Sequence, residues 1–195
     1  MRAFRSCAVL CLAFMLPGAA SAPAQSWTLV EGSAIRFTAF QQGAPVQGRF
    51  ERFTAEITFD PDDLPASRIA VEIDTTSVAT GHRDRDTALR APDLFDVERW
   101  PRARFASDRL THLGGEAYEA QGHLTIRDVQ RDVVLPFEFT IAEHPADPGL
   151  LLARARGGLT ISRLDHGVGQ GDWASTAMVG DEVEIAIEII ATRER

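Results

Sequence analysis

Between Thr80 and Pro101 the chain reads TGHRDRDTALRAPDLFDVERWP, with four arginines, four aspartates, a glutamate and a histidine in one segment. Such residues can serve as metal ligands, as acid/base groups or as anion binders. His82, Asp84 and Asp86 are metal ligands by type, at alternating positions. Arg83, Arg85 and Arg90 are interleaved with them, and those charges raise the cost of bringing in a cation. No His-x-x-x-His or Glu-x-x-His pair occurs, and His112, His123, His144 and His166 are scattered. No metal is expected. Acid/base work is no better supported, because Asp86 beside Arg85 should be held ionised rather than raised toward neutral pH. Gly-x-Ser-x-Gly, Gly-x-Gly-x-x-Gly and the P-loop are all missing, so neither a catalytic residue nor a cofactor is expected.

Anion binding stays open on the residues alone. Arginine forks suit phosphate groups, and Arg83, Arg85 and Arg90 with Arg163 would supply them. The same arginines can instead pair with Asp84, Asp86, Asp93 and Asp96 and tie a long connection to the rest of the fold. This second reading is favoured, since the two signs alternate. A second constellation, TISRLDHGVGQGDW, runs from Thr160 to Trp173. Its Gly167, Gly169 and Gly171 suit either a lid over a cavity or a long hairpin connection.

The elements that must position these residues are strands. Alternation with period two dominates after Trp27, the pattern of half-buried β-structure. Ile35, Phe37 and Ala39 alternate with Arg36 and Thr38. Phe53, Ala55, Ile57 and Phe59 form another row, as do Ile69, Val71 and Ile73. In the second half the rows are Tyr118 to Ile126, Val133 to Ile141, Leu151 to Ile161 and Val183 to Ile189. QQGAP, DPDDLPAS, HLGGEA, EHPADPG and VGQGDW carry the Gly, Pro and Asp that chain reversals need. The expected fold is all-β, an antiparallel sandwich or barrel of about eight strands. The alternation fails only between Thr75 and Arg102. Asp84 to Ala91 suits one or two helical turns stopped by Pro92, and Asp93 suits the cap of a second short turn. The helical excursion is thus expected near residues 84–98.

Residues 1–24 read as a secretory signal peptide: Arg2 and Arg5, an apolar run from Cys7 to Leu16, then GAASAPA. The run is shorter than the about 20 apolar residues a spanning helix needs. Residues 25–195 are expected to form a single domain, and roughly 170 residues suffice for a substantial core. Both cysteines, Cys7 and Cys11, lie in the leader, so the exported chain has no disulfide and no thiolate ligand. The formal charge of −8 becomes −10 once Arg2 and Arg5 are removed. An acidic protein of this kind does not favour nucleic acid. The expected compartment is the periplasm.

One face of nearly every strand is aliphatic or aromatic. Gly48, Gly122 and Gly157 interrupt these rows, as bends, close approaches or open space inside a barrel. Wide apolar walls would suit a long apolar ligand, but a filled core fits the same pattern.

Four stretches in order, FDPDDLPASRIAVEIDTTSVATG, RDTALRAPDLFDVERWPRARF, GHLTIRDVQRDVVLPFEF and ISRLDHGVG, resemble the YceI-like family. Arg85-Asp86, Leu89-Arg90, Asp93-Leu94-Phe95-Asp96 and Trp100-Pro101 fall on its Arg-Asp, Leu-Arg, Asp-Phe-Phe-Asp and aromatic-Pro signature. Leu124-Thr125-Ile126 with Arg131, and Arg163 with Asp165-His166-Gly167, fall on its later motifs. Leu94 stands in place of a phenylalanine and His166 in place of an aromatic, and both bear on pocket shape. The resemblance implies a lipocalin-like, often periplasmic barrel holding a polyisoprenoid or quinone-type lipid in its lumen. The lining is expected to include Phe37, Phe50, Phe59, Val71, Phe105, Leu124, Phe137 and Ile161. Phe95 and Trp173 are expected at the mouth, with Arg163 as the polar contact. Transient membrane contact and a homodimer are compatible with this reading. Two others stay open: an enzyme using His166, Asp165 and Arg163, and a filled, ligand-free barrel.

Overall fold

The computed structural model describes residues 26–195; the expected signal peptide lies outside the described residues. The strands are β1 Ser26–Leu29, β2 Ala34–Gln41, β3 Ala44–Phe50, β4 Phe53–Thr58, β5 Arg68–Asp74, β6 Val78–Ala79, β7 Arg102–Gly114, β8 Ala117–Ile126, β9 Val129–Glu143, β10 Leu150–Ser162 and β11 Glu182–Glu194. One helix, α1, spans Arg83–Arg90.

The eleven segments make eight staves. β1 and β2 lie end to end along β11, pairing with Ala191–Thr192 and Glu184–Glu188 respectively. The bend between them contains Gly32, whose φ of +96° favours glycine. β3 and β4 pair with β2 and β1 in the same way, and β5 and β6 with β4 and β3. β7 to β11 follow as an antiparallel meander, and β1 closes the ring by pairing with both β4 and β11. The result is a closed, eight-stranded antiparallel barrel, in which no stave is left as a free edge. β8 shows why the sequence reads so clearly: Tyr118, Ala120, Gly122, Leu124 and Ile126 are buried while their neighbours are not.

Two of the interrupting glycines do not open space. A Cβ on Gly122 would collide with Ala106 O, and one on Gly157 with Pro136 O, so these positions let neighbouring backbones approach closely. Gly122 faces the irregular register between Ser107 and Arg109 on β7. Gly48 makes room for the Phe37 ring, which covers it.

A meander places its connections alternately at two ends. One end is closed by packing. Trp27 is buried, donates its indole N–H to Phe59 O at 2.8 Å and meets Phe139 edge-on at 6.1 Å. Phe59 lies among Tyr118, Phe137 and Phe139, at centroid distances of 5.3, 5.9 and 4.5 Å. Arg193 continues the inward row of β11 and lays its guanidinium 4.6 Å from the Trp27 ring centre. Its buried Nε and Nη1 have no hydrogen-bond partner; the indole face provides the charge with a cation–π contact instead.

The other end carries the excursion, whose tether corrects one expectation. The Arg/Asp pairs do not form: among the described residues the segment's one ion pair joins Asp96 to Arg127, 3.9 Å apart, on the β8–β9 turn. The arginines instead serve backbone groups that the ladder leaves unpaired where β5 gives way to the excursion. Arg90 donates from Nε to Thr76 O at 2.8 Å and from Nη2 to Val78 O at 2.7 Å. Asp86 accepts from the Thr80 amide and hydroxyl at 2.8 and 2.7 Å, and Arg85 Nε donates to that hydroxyl at 3.0 Å. Arg127, at φ +57° in its turn, donates to Pro92 O and Leu94 O and stacks 4.4 Å from the Trp100 ring centre. After Pro92 the chain forms irregular turns, not the second helical turn expected from Asp93.

Burial works against ionising Asp86, but the two bonds from Thr80 and the nearby charges of Arg90 and Arg85 outweigh it. Its carboxyl is held below the usual value. Asp86→Ala, which leaves the Thr80 amide and hydroxyl unpaired, should lower stability by about 1–3 kcal/mol. Urea titration at neutral pH measures this. The loss should be absent for Asp84→Ala, whose side chain is exposed.

Candidate ligand-binding site

The barrel interior holds two chambers. The upper one, of about 500 Å³, lies under the excursion and the β10–β11 connection. The lower one, of about 120 Å³, reaches down to the Trp27 and Phe59 cluster. Ile35, Ile73, Leu124 and Ile185 line both, so the chambers adjoin at one ring of aliphatic side chains.

Every residue expected to line the lumen borders one of the chambers. Phe37, Phe50, Phe95, Ile161, Trp173 and Arg163 border the upper chamber, Phe59, Val71, Phe105 and Phe137 the lower, and Leu124 both. Phe37, Phe50 and Phe95 form an aromatic wall, with ring centres 5.7 and 5.8 Å apart in succession. Phe95 reaches this wall because the excursion folds inward, carrying Leu89 and Leu94 with it. Phe59 and Phe137 belong equally to the closed-end core. The inward rows hold further lining residues that were not among those expected, including Ile35, Ile73 and Ile185, which border both chambers. Leu89, Val168 and Val179 had no such signal, because they come from non-strand segments.

Arg163 borders the upper chamber with its donors already engaged. Nε donates to Gly180 O at 2.9 Å, Nη1 to Val168 O at 2.9 Å, and Nη2 to Val179 O at 3.0 Å and Ser175 O at 3.3 Å. It is 5% exposed, and it organises the β10–β11 connection rather than presenting a free fork. Gly169, at φ +130°, passes so close that a Cβ there would collide with Arg163 Nη1. The glycine-rich stretch is therefore pinned. It is also joined to the excursion, since the Gln170 amide donates to Asp93 O at 2.7 Å.

His166 is 2% exposed and borders neither chamber. Its Nδ1 lies 3.4 Å from Val129 O. Burial lowers its pKa first, with Arg131 adding to the effect and Val129 and Asp165 opposing it. Of the three residues named for an enzymatic reading, Arg163 borders the upper chamber, whereas His166 and Asp165 border neither. A buried imidazole with a lowered pKa favours folding while it stays neutral. That contribution is complete above the unfolded value near 6.5 and is lost as pH falls from there to the folded value. The melting temperature should therefore decline as pH falls below the unfolded value of 6.5, and His166→Phe should flatten that decline. Asp74, Asp86 and Glu188 have lowered carboxyl values, so their contributions are lost as pH falls below the unfolded values of 3.8 for the aspartates and 4.5 for Glu188, and the histidine decline begins at higher pH in a series of thermal melts.

At the mouth the groups not committed to internal bonds are few. His82 and Asp84 are exposed beside the upper chamber, as is Gln41 at the end of β2. They are polar groups on the border of an otherwise largely apolar chamber. A closed eight-stranded antiparallel barrel with such a lumen, capped by a helical excursion, is a lipocalin-like barrel.

The chain belongs to the YceI-like family: a YceI-like domain is matched over residues 27–191. It is similar to a UPF0312 protein of Azotobacter vinelandii, 27% identical over 97% of this chain and 98% of that one. UPF0312 proteins of Vibrio cholerae are 32% identical over 48% of this chain, which spans 50% of their length. Among solved structures it resembles BcnA of Burkholderia cenocepacia, with a TM-score of 0.74 and 30% identity over 82% of this chain and 96% of that one. A polyisoprenoid binding domain from Saccharophagus degradans has the same fold, with a TM-score of 0.62 at 15% identity, covering 88% of this chain and 99% of that domain.

Proposed function

We propose that this protein is an exported binding protein, formed by residues 25–195, that carries or sequesters an isoprenoid lipid of the polyprenyl or quinone type in its barrel. The observation that carries this reading is the pair of adjoining apolar chambers, closed at one end by the Trp27 cluster and bordered at the other by His82, Asp84 and Gln41. Burying apolar surface contributes about 25 cal/mol per Å², so a prenyl chain in this lumen binds without any polar contact. The polar mouth then suits the head of such a molecule. The similarity to a polyisoprenoid binding domain supports the same class of ligand. Residues 1–24 support a periplasmic location. Binding rather than turnover fits a lumen whose buried arginine is engaged with carbonyls.

The test is native mass spectrometry of protein purified from the exported fraction, with analysis of its organic extract. A lipid-bound mass and an unaltered isoprenoid in the extract are expected. A single apo mass with an extract free of lipid would overturn the proposal.

A further inference from the structure

We infer that the ring of Ile35, Ile73, Leu124 and Ile185 acts as a length gauge, selecting isoprenoid chains by whether their tail passes from the upper chamber into the lower. The inference rests on the lipid-binding reading above and names what that site discriminates. The four residues come from β2, β5, β8 and β11, which stand around the barrel wall rather than along one side. They are the residues common to both linings. Ile35 and Leu124 are 4% and 6% exposed, so they are packed in place rather than free to swing aside. Below the ring the chamber has about 120 Å³, against about 500 Å³ above, and it ends on Phe59, Phe137 and Phe139. A short tail is accommodated above the ring. A longer one gains contact only by entering the small lower chamber, and beyond that length the aromatic floor stops it. Each buried segment adds apolar contact area, so affinity rises with length up to the floor and then stops rising.

Ala155 lies on β10 and lines only the lower chamber, while Val46 lies on β3 and lines only the upper. The experiment measures binding of geraniol, farnesol, geranylgeraniol and solanesol, in order of increasing length, by native mass spectrometry and displacement of a fluorescent apolar probe. It uses the wild type, Ala155→Phe, Ile73→Phe and Val46→Phe, with circular dichroism as the check on folding. Ala155→Phe fills the lower chamber and Ile73→Phe narrows the ring. Both should keep geraniol binding within about twofold while weakening the tightest-bound longer alcohol by at least about tenfold. Val46→Phe should weaken all lengths together. Should Ala155→Phe not fold, Ala155→Leu gives the same comparison with a smaller expected loss. A length dependence that is the same in the wild type and in the lower-chamber variants would overturn the gauge while leaving the lipid-binding reading intact. A folded wild type that binds none of the four alcohols would overturn both.

Discussion

Arg163→Ala should lower stability by about 3–5 kcal/mol and loosen the upper chamber before the barrel itself unfolds. The side chain is 5% exposed and satisfies four carbonyls, of Val168, Ser175, Val179 and Gly180. Removing it leaves those acceptors without donors in a place water reaches poorly, and each such group costs about 1–3 kcal/mol if nothing replaces the bond. Relaxation of an irregular connection recovers part of this. For a chain of this size the loss corresponds to a melting temperature lower by roughly 10 °C. Arg163→Lys should recover little, because a single ammonium cannot reach carbonyls spread along the connection as a planar fork does. Gly169→Ala should resemble Arg163→Ala, since its methyl group would occupy the space of the guanidinium. The measurements are thermal melts and hydrogen exchange. Protection should be lost first in the 163–181 connection and in the excursion bonded to it through Gln170 and Asp93. An Arg163→Ala protein with unchanged melting and unchanged exchange there would show that the carbonyls find other partners.

Trp27→Ala should cost about 3–5 kcal/mol, the range for deleting a large buried aromatic. Here the loss is global, not local. Trp27 is 4% exposed and fixes three things together: Phe59 through the indole N–H, Phe139 through an edge contact, and Arg193 through its face. It also sits on β1, the short segment that closes the ring between β4 and β11. Without the ring, Arg193 keeps two buried nitrogens that have neither a hydrogen bond nor an aromatic face. Arg193→Met should therefore rescue part of the loss in the double variant, because an uncharged side chain of similar length has no such need. The double-mutant cycle, measured by chemical denaturation, gives the coupling directly. Additive losses would mean that the stacked charge contributes nothing beyond its packing.

Much of this was legible in the sequence because it is local. In a pleated strand successive side chains point to opposite faces, so Val183, Ile185, Ile187 and Ile189 announce an inward row without any partner being known. The same parity placed Phe37, Val71 and Leu124 on one face of their rows, and its failure between Thr75 and Arg102 located the excursion. The run of charges in that excursion was legible as a tether but not as the tether that exists. Ion pairing between Arg and Asp is the simplest inference from composition. The structure instead directs Arg90 and Arg127 to carbonyls, because backbone groups displaced from the ladder need donors more than neighbouring carboxylates need partners.

By itself, then, the sequence determined an all-β barrel of about eight staves, its inward rows, the site of its one long interruption, and a family pattern that named the fold. The tertiary structure alone decided what happens where distant segments meet. Gly122 and Gly157 admit neighbouring backbone instead of opening space, Arg163 holds a loop instead of a ligand, and four aliphatic residues from four strands divide the lumen in two. The reason is physical. Side-chain parity is a property of one strand, whereas a close approach, a carbonyl's partner and the width of a cavity depend on the register between strands, which no single segment encodes.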